Sequence, residues 1–94
     1  METKRTTLLL ADDHTLFRAG LKELIGHWQE FLVVGSAANG QEALELCRQQ
    51  HPDFVLMDIQ MPVMNGVEAT RRIQAECPET SVVMLSMSVD EGYL

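Results

Sequence analysis

Four polar residues stand where apolar runs end. Asp12 and Asp13 are adjacent and follow the run at 6–11, Asp58 follows the run at 54–57, and Ser86 follows the run at 81–85. Three carboxylates drawn into one place repel one another, and that crowding raises the pKa of at least one of them unless a cation intervenes. A hard cation with oxygen ligands answers the problem. Mg²⁺ takes one or two carboxylates, keeps several waters and accepts phosphate oxygens. No His or Cys lies at zinc-ligand spacing. A carboxylate is also a competent nucleophile that forms an aspartyl-phosphate, and Asp58, alone on its strand end, suits that role. The chemistry to expect is therefore phosphate handling at a Mg²⁺ site. An Asp after a strand also serves as a helix N-cap, and Asp13, just ahead of a helix starting near Thr15, carries that second reading.

Such convergence requires a particular set of elements. The segments 6–11, 31–37, 54–57 and 81–85 read as strands. Between them, residues 14–28 repeat apolar side chains at helical spacing (Phe17, Leu21, Leu24, Ile25, Trp28). A second helix follows Asn39-Gly40, where Asn39 and Glu42 have capping-box spacing, and His51-Pro52 stops it. A third spans 67–76 with Val67, Thr70, Ile73 and Cys77 on one side, and a last helical stretch begins near Val89. Strands alternating with helices imply right-handed crossovers and a parallel sheet. The first, third and fourth strands are nearly continuous apolar runs, the pattern of strands covered on both faces. The expected fold is an open, doubly wound α/β sheet. In the flavodoxin-like order 2-1-3-4, the ends of strands one and three meet at the switch point where such sheets bind ligands.

Composition narrows the function classes. Fourteen acidic against seven basic residues give a net charge of −7, which argues against direct nucleic-acid binding, since that needs a basic face. No apolar run is long enough to span a membrane, and the N-terminus lacks a signal-peptide pattern. Cys47 and Cys77 have no metal or redox spacing and read as reduced thiols of a cytoplasmic protein. The 94 residues allow one small domain.

These residues resemble the receiver domain of two-component response regulators, most closely the NarL/FixJ type with a LuxR output domain. The matching segments are LLADDH at 9–14, LFRAGL at 16–21, GSAANGQEA at 35–43, PDFVLMDIQMPVMNG at 52–66, EATRRI at 68–73 and VVMLSMS at 82–88. The resemblance implies a CheY-like flavodoxin fold and a function as phospho-acceptor. Asp58 matches the residue phosphorylated by a sensor histidine kinase. Asp12, Asp13, Asp58 and the backbone carbonyl of Gln60 match the Mg²⁺ ligands. Ser86 matches the hydroxyl that bonds the phosphoryl group, and Met61, Pro62 and Gly66 match the loop that shapes the site. On this resemblance the protein is not an enzyme beyond catalysing its own phosphorylation and dephosphorylation.

The resemblance also implies a longer domain. The expectation is that residues 1–94 lack the last strand and helix, with no output domain present. No Lys follows Lys22, so no residue takes the role of the phosphoryl-neutralising Lys, and phosphotransfer is expected to be impaired. The apolar surface left uncovered predicts a homodimer or an oligomer that exchanges elements. Two other readings remain. One is a pseudo-receiver that works by binding partners. The other is a haloacid-dehalogenase-type phosphatase, which needs a second Asp two positions after its nucleophile; Gln60, His14 and Thr15 stand at those places. His14 reads as a first-turn helix residue or a ligand. His27 and His51 read as helix-end residues, Arg71 and Arg72 as a solvated face, and the methionines as packing. Trp28 reads as a pin for the first helix or its loop.

Overall fold

The computed structural model describes residues 4–85. The expected helical stretch near Val89 and the Ser86 hydroxyl lie outside the described residues.

Seven elements follow one another in strict alternation: β1 (Thr6–Ala11), α1 (Thr15–Ile25), β2 (Phe31–Ala37), α2 (Gly40–Gln50), β3 (Phe54–Asp58), α3 (Gly66–Glu76) and β4 (Ser81–Leu85). All strand pairings are parallel, in the order β2-β1-β3-β4. Strand boundaries agree with the sequence reading except that β3 continues through Asp58. That extra residue matters, because it sets Asp58 into the register of the sheet opposite Leu85.

The two faces of the sheet are unequally covered. Leu9 and Ala11 point to one face, where they pack with Ala37, Val55 and Met57 beneath α2 and α3 (Ala43, Leu44, Cys47, Ala69, Ile73, Cys77). Leu8 and Leu10 point to the other and, among the described residues, meet only Ile25 as a further buried residue, with Leu21, Phe31, Val33 and Leu56 half-covered. This is the alternation of a strand buried on both sides. A small residue at 69 brings α3 close to α2: a Cβ at Gly40 would sit 3.0 Å from the Ala69 Cβ.

Several local expectations are corrected. The first helix stops at Ile25 rather than reaching Trp28, because His27 and Trp28 donate to the carbonyls three residues back (3.2 and 2.9 Å) and tighten the chain into a turn. Leu24 and Trp28 are consequently exposed, Trp28 packing edge-on against Phe31 at 6.4 Å. On α3 the buried residues are Gly66, Ala69 and Ile73, while Val67 is 60% exposed. A face centred on Ala69 lets the helix lie closer to α2 than one centred on Val67. β4 is not covered on both faces among the described residues: it is one of the two edge strands of the described sheet, where the expected order puts it, and Val83 and Met84 are exposed. An apolar run does not distinguish a central strand from an edge strand.

Both later helices start with an Asn cap. The Asn39 and Asn65 side chains accept from the Glu42 and Glu68 backbone N–H groups, each at 2.9 Å. Glu42 also reaches back, accepting from the Ala38 N–H at 2.8 Å, one residue earlier than the usual box partner. Glu68 turns instead to Arg71 and Arg72. At the end of the sheet where β1 and β3 begin, Asp53 and Thr7 form a clasp. The Asp53 carboxylate accepts from the Thr7 N–H at 2.8 Å, and the Asp53 N–H donates to the Thr7 Oγ1 at 2.9 Å.

Candidate functional site

β1 and β3 are neighbours, and their connections leave toward opposite edges of the sheet. Their carboxyl ends therefore form the crevice at which open α/β sheets bind ligands. Asp12 follows the last residue of β1 and is tied back to the sheet, its N–H donating to the Ala37 carbonyl at 3.0 Å. Asp58 is the last residue of β3. The two carboxyl residues are only 3% and 4% exposed. Asp13, more open, completes the trio: one ligand atom each from Asp12, Asp13, His14 and Asp58 lie within 4.8 Å of one another.

The crowding has the electrostatic consequence read from the sequence. The Asp58 carboxyl is held above the ordinary carboxylate range, first by burial and then by the neighbouring Asp12 charge. The backbone groups of Ile59 and Gln60 oppose that rise. One Asp12 oxygen, Oδ2, is buried with no hydrogen-bond partner among the described residues. A buried carboxylate oxygen without a donor is costly, and a cation is the partner that would satisfy it. An all-oxygen set of carboxylates fits a hard divalent ion such as Mg²⁺.

The loop after β3 is fixed by close backbone approach. The Gly66 N–H donates to the Ile59 carbonyl at 2.8 Å, and a Cβ at Gly66 would collide with the Asp58 carbonyl oxygen. Gly40 donates to the Met64 carbonyl at 2.8 Å, so the start of α2 braces the same loop. Met61 is buried in the α2/α3 core, Pro62 is exposed, and Gln60 is exposed beside Asp58. Val63 has φ 68°, and the Met64 N–H donates to the Pro62 carbonyl across it at 2.7 Å. That is a γ-turn of the positive-φ kind, rare and strained for a β-branched residue.

Asp12, Asp13 and Asp58 thus come together as the sequence predicts. Asp13 is not a helix cap; the cap position belongs to His14, whose side chain makes no cap bond. The His14 ring instead turns to the acids, with Nδ1 2.7 Å from Asp12 Oδ1 and 3.1 Å from Asp13 Oδ1. Its pKa is raised, chiefly by the hydrogen bond to Asp12 and then by the Asp13 charge. Sequence reasoning passed over one residue altogether. The Arg18 guanidinium donates to the Asp12 backbone carbonyl at 2.8 Å, fixing the end of β1 from the first turn of α1. The signal available was its place one helical turn after the His14 cap.

Comparison with known proteins agrees with this geometry. Residues 8–94 match the response regulator receiver domain family. The transcriptional regulatory protein DegU of Brevibacillus brevis is 44% identical over 87 residues, covering 93% of this chain and 37% of that protein. The nitrate/nitrite response regulator protein NarL of Escherichia coli K12 is 39% identical over 85 residues, covering 90% and 39%. The chain thus spans well under half the length of these relatives. Among solved structures, the response regulator domain of Thermotoga maritima CheB superposes with a TM-score of 0.85 at 37% identity, covering 95% of this chain and 66% of that one. The signal receiver domain of a Mycobacterium tuberculosis NarL response regulator gives 0.87 at 30% identity, covering 96% and 73%. The dehalogenase-type phosphatase reading gives way to this match. Strand order, acidic crevice and relatives agree, and the chain belongs to the response-regulator receiver family, as the receiver domain of a two-component response regulator similar to NarL and DegU.

Proposed function

We propose that Asp58 is the phospho-acceptor, with Mg²⁺ held by Asp12, Asp13, Asp58 and the Gln60 backbone carbonyl. The observation that carries this reading is the buried Asp58 carboxyl facing Asp12 and Asp13 across the switch point. An Asp58 oxygen attacks the phosphorus of a phosphohistidine on a sensor kinase, the new O–P bond forms, and the N–P bond to imidazole breaks. Bound at these residues, Mg²⁺ would supply positive charge that offsets the phosphoryl oxygens. Asp12 and Asp13 orient that charge from the end of β1, while Gly66 and Met61 hold the β3–α3 loop in place. Ser86 is assigned to bonding the transferred phosphoryl group. The family is in general not enzymatic, and any catalysis here concerns only the protein's own phosphorylation state. In the whole regulator, a DNA-binding output domain would read that state. A cytoplasmic location is part of the proposal. Among the described residues no helix is long and apolar enough to cross a membrane.

Incubation with acetyl phosphate and Mg²⁺ tests this. One phosphoryl adduct that maps to Asp58, is acid-stable and base-labile, and is absent in Asp58→Asn supports it. No adduct, together with no Mg²⁺-dependent binding of beryllofluoride, overturns it.

A second reading is a partner-binding module that does not turn over phosphate. Binding of beryllofluoride without any adduct from acetyl phosphate would favour it. Self-association belongs to the same proposal. A groove of about 320 Å³ on the α1 face is lined by Leu8, Ile25, Trp28, Phe31, Phe54 and Leu56. We assign it to a homodimer or an element exchange, and a sharp monomer boundary in sedimentation at micromolar concentration overturns that assignment.

A further inference from the structure

The geometry points to His14 as a direct ligand of the metal site, whose imidazole shifts the preference of the site toward first-row transition ions relative to Mg²⁺. The inference rests on the reading of the acidic crevice as a metal site and adds a nitrogen donor to it.

Ligands adjacent on an octahedron with bonds of about 2.1 Å lie about 3 Å apart, and opposite ligands about 4.2 Å apart. His14 Nδ1 is 2.7 Å from Asp12 Oδ1 and 3.1 Å from Asp13 Oδ1. The Asp58 oxygen lies within 4.8 Å of all three. The imidazole nitrogen therefore stands at ligand–ligand spacing from both acids of the pair; release to solvent of the Nδ1 proton shared with Asp12, with small movements, brings the set around one ion. Independent support for a cation here is Asp12 Oδ2, buried and without a partner among the described residues. Backbone geometry holds the ring in place: His14 is extended (φ −92°, ψ 104°), and its N–H donates to Asp12 Oδ1 at 2.7 Å. The ring is 60% exposed, so an ion reaches Nδ1 without passing through the core.

The chemistry of the donor decides what this does. Carboxylate and water suit Mg²⁺, whereas imidazole suits Ni²⁺, Zn²⁺ and Cu²⁺, and affinity at a mixed nitrogen–oxygen site rises from Mn²⁺ to Ni²⁺. Removing the imidazole should therefore weaken Ni²⁺ much more than Mg²⁺.

The test uses the whole chain and His14→Phe, which keeps a ring and removes the donor. Electron spin echo modulation of bound Mn²⁺ reports directly whether an imidazole nitrogen touches the ion. The expected result is a nitrogen coupling in the unmodified protein that disappears in His14→Phe, with one Mn²⁺ per chain displaceable by Mg²⁺. Titration calorimetry should show Ni²⁺ affinity falling by about tenfold or more in the variant while Mg²⁺ affinity changes by less than about threefold. Mn²⁺ bound at the acids with no nitrogen coupling, or with a coupling that survives in His14→Phe, overturns the inference and leaves the Mg²⁺ assignment standing. No ion bound by the unmodified protein, with Asp12→Asn behaving identically, overturns both.

Discussion

Asp58 carries a charge that its surroundings disfavour. Burial and the Asp12 carboxylate both oppose ionisation, and only the Ile59 and Gln60 backbone groups help it. Asp58→Asn keeps the shape and removes the charge. In metal-free buffer the variant should melt about 2–5 °C above the unmodified chain. It should also lose the rise in melting temperature that Mg²⁺ gives the unmodified protein. Thermal scans with and without Mg²⁺ check both, and a lower metal-free melting point would contradict the electrostatic account. Asp53, at the opposite end of β3, behaves in the opposite sense. Its hydrogen bonds with Thr7 hold its carboxyl below the usual range. Its contribution is therefore complete above the unfolded pKa, near 4, and is lost as pH falls through the folded pKa. Asp53→Asn should lower the melting temperature at pH 7. The gap should begin to close below about pH 4 and vanish in stronger acid. A gap independent of pH would show that the clasp is not ionic.

At the scale of elements, the loop between β3 and α3 carries the strain. Val63 holds a positive φ across a γ-turn, 82% exposed, so its side chain contributes little packing there. Placing a residue with a Cβ in the left-handed region costs about 1–2 kcal/mol, and glycine returns about 0.5–1 kcal/mol of that in chain entropy. Val63→Gly should therefore stabilise by about 0.5–1 kcal/mol in urea unfolding at an unchanged slope. A destabilised variant would mean that the Val63 side chain does packing work in the loop. Gly66 is the reverse case. A Cβ there meets the Asp58 carbonyl oxygen, and this position explains why the asparagine cap at Asn65 is followed by glycine at the start of the helix. The pairing Asn-Gly recurs at Asn39-Gly40, where the glycine approaches the Met64 carbonyl. Both glycines are needed for backbone approach at the same loop.

At the scale of the whole molecule, the two faces differ in how completely they are sealed. Cys47 lies at the centre of the α2/α3 core, and burial, aided by Cys77, pushes its thiol up to about 12. Cys77 is raised as well, chiefly by burial. At pH 8 both are protonated and covered. Iodoacetamide should label the native chain at least about a hundredfold more slowly than the urea-unfolded chain. Fast native labelling of Cys47 would mean that this half of the molecule opens locally. The α1 face is different: Trp28 and Phe54 are exposed around the groove. An apolar surface of that kind on a small domain is where association is expected.

The sequence by itself determined the element order, the strand limits within a residue, the parallel sheet and the three carboxylates, because period, punctuation and strand-end polarity are local signals. The capping pair Asn39 and Glu42 was legible for the same reason, as both groups lie within one turn. Tertiary structure decided the rest. Strand order decides which apolar runs become edges; the expected order 2-1-3-4 already put β4 at an edge, whereas its own apolar residues do not tell it from a central strand. Which side of α3 is buried depends on how closely Ala69 lets it approach α2. The turn of the His14 ring onto Asp12 and Asp13 depends on where β1 ends and α1 begins in space. Local residue types named the acids; only the packing of β1 beside β3 brought them within reach of one ion.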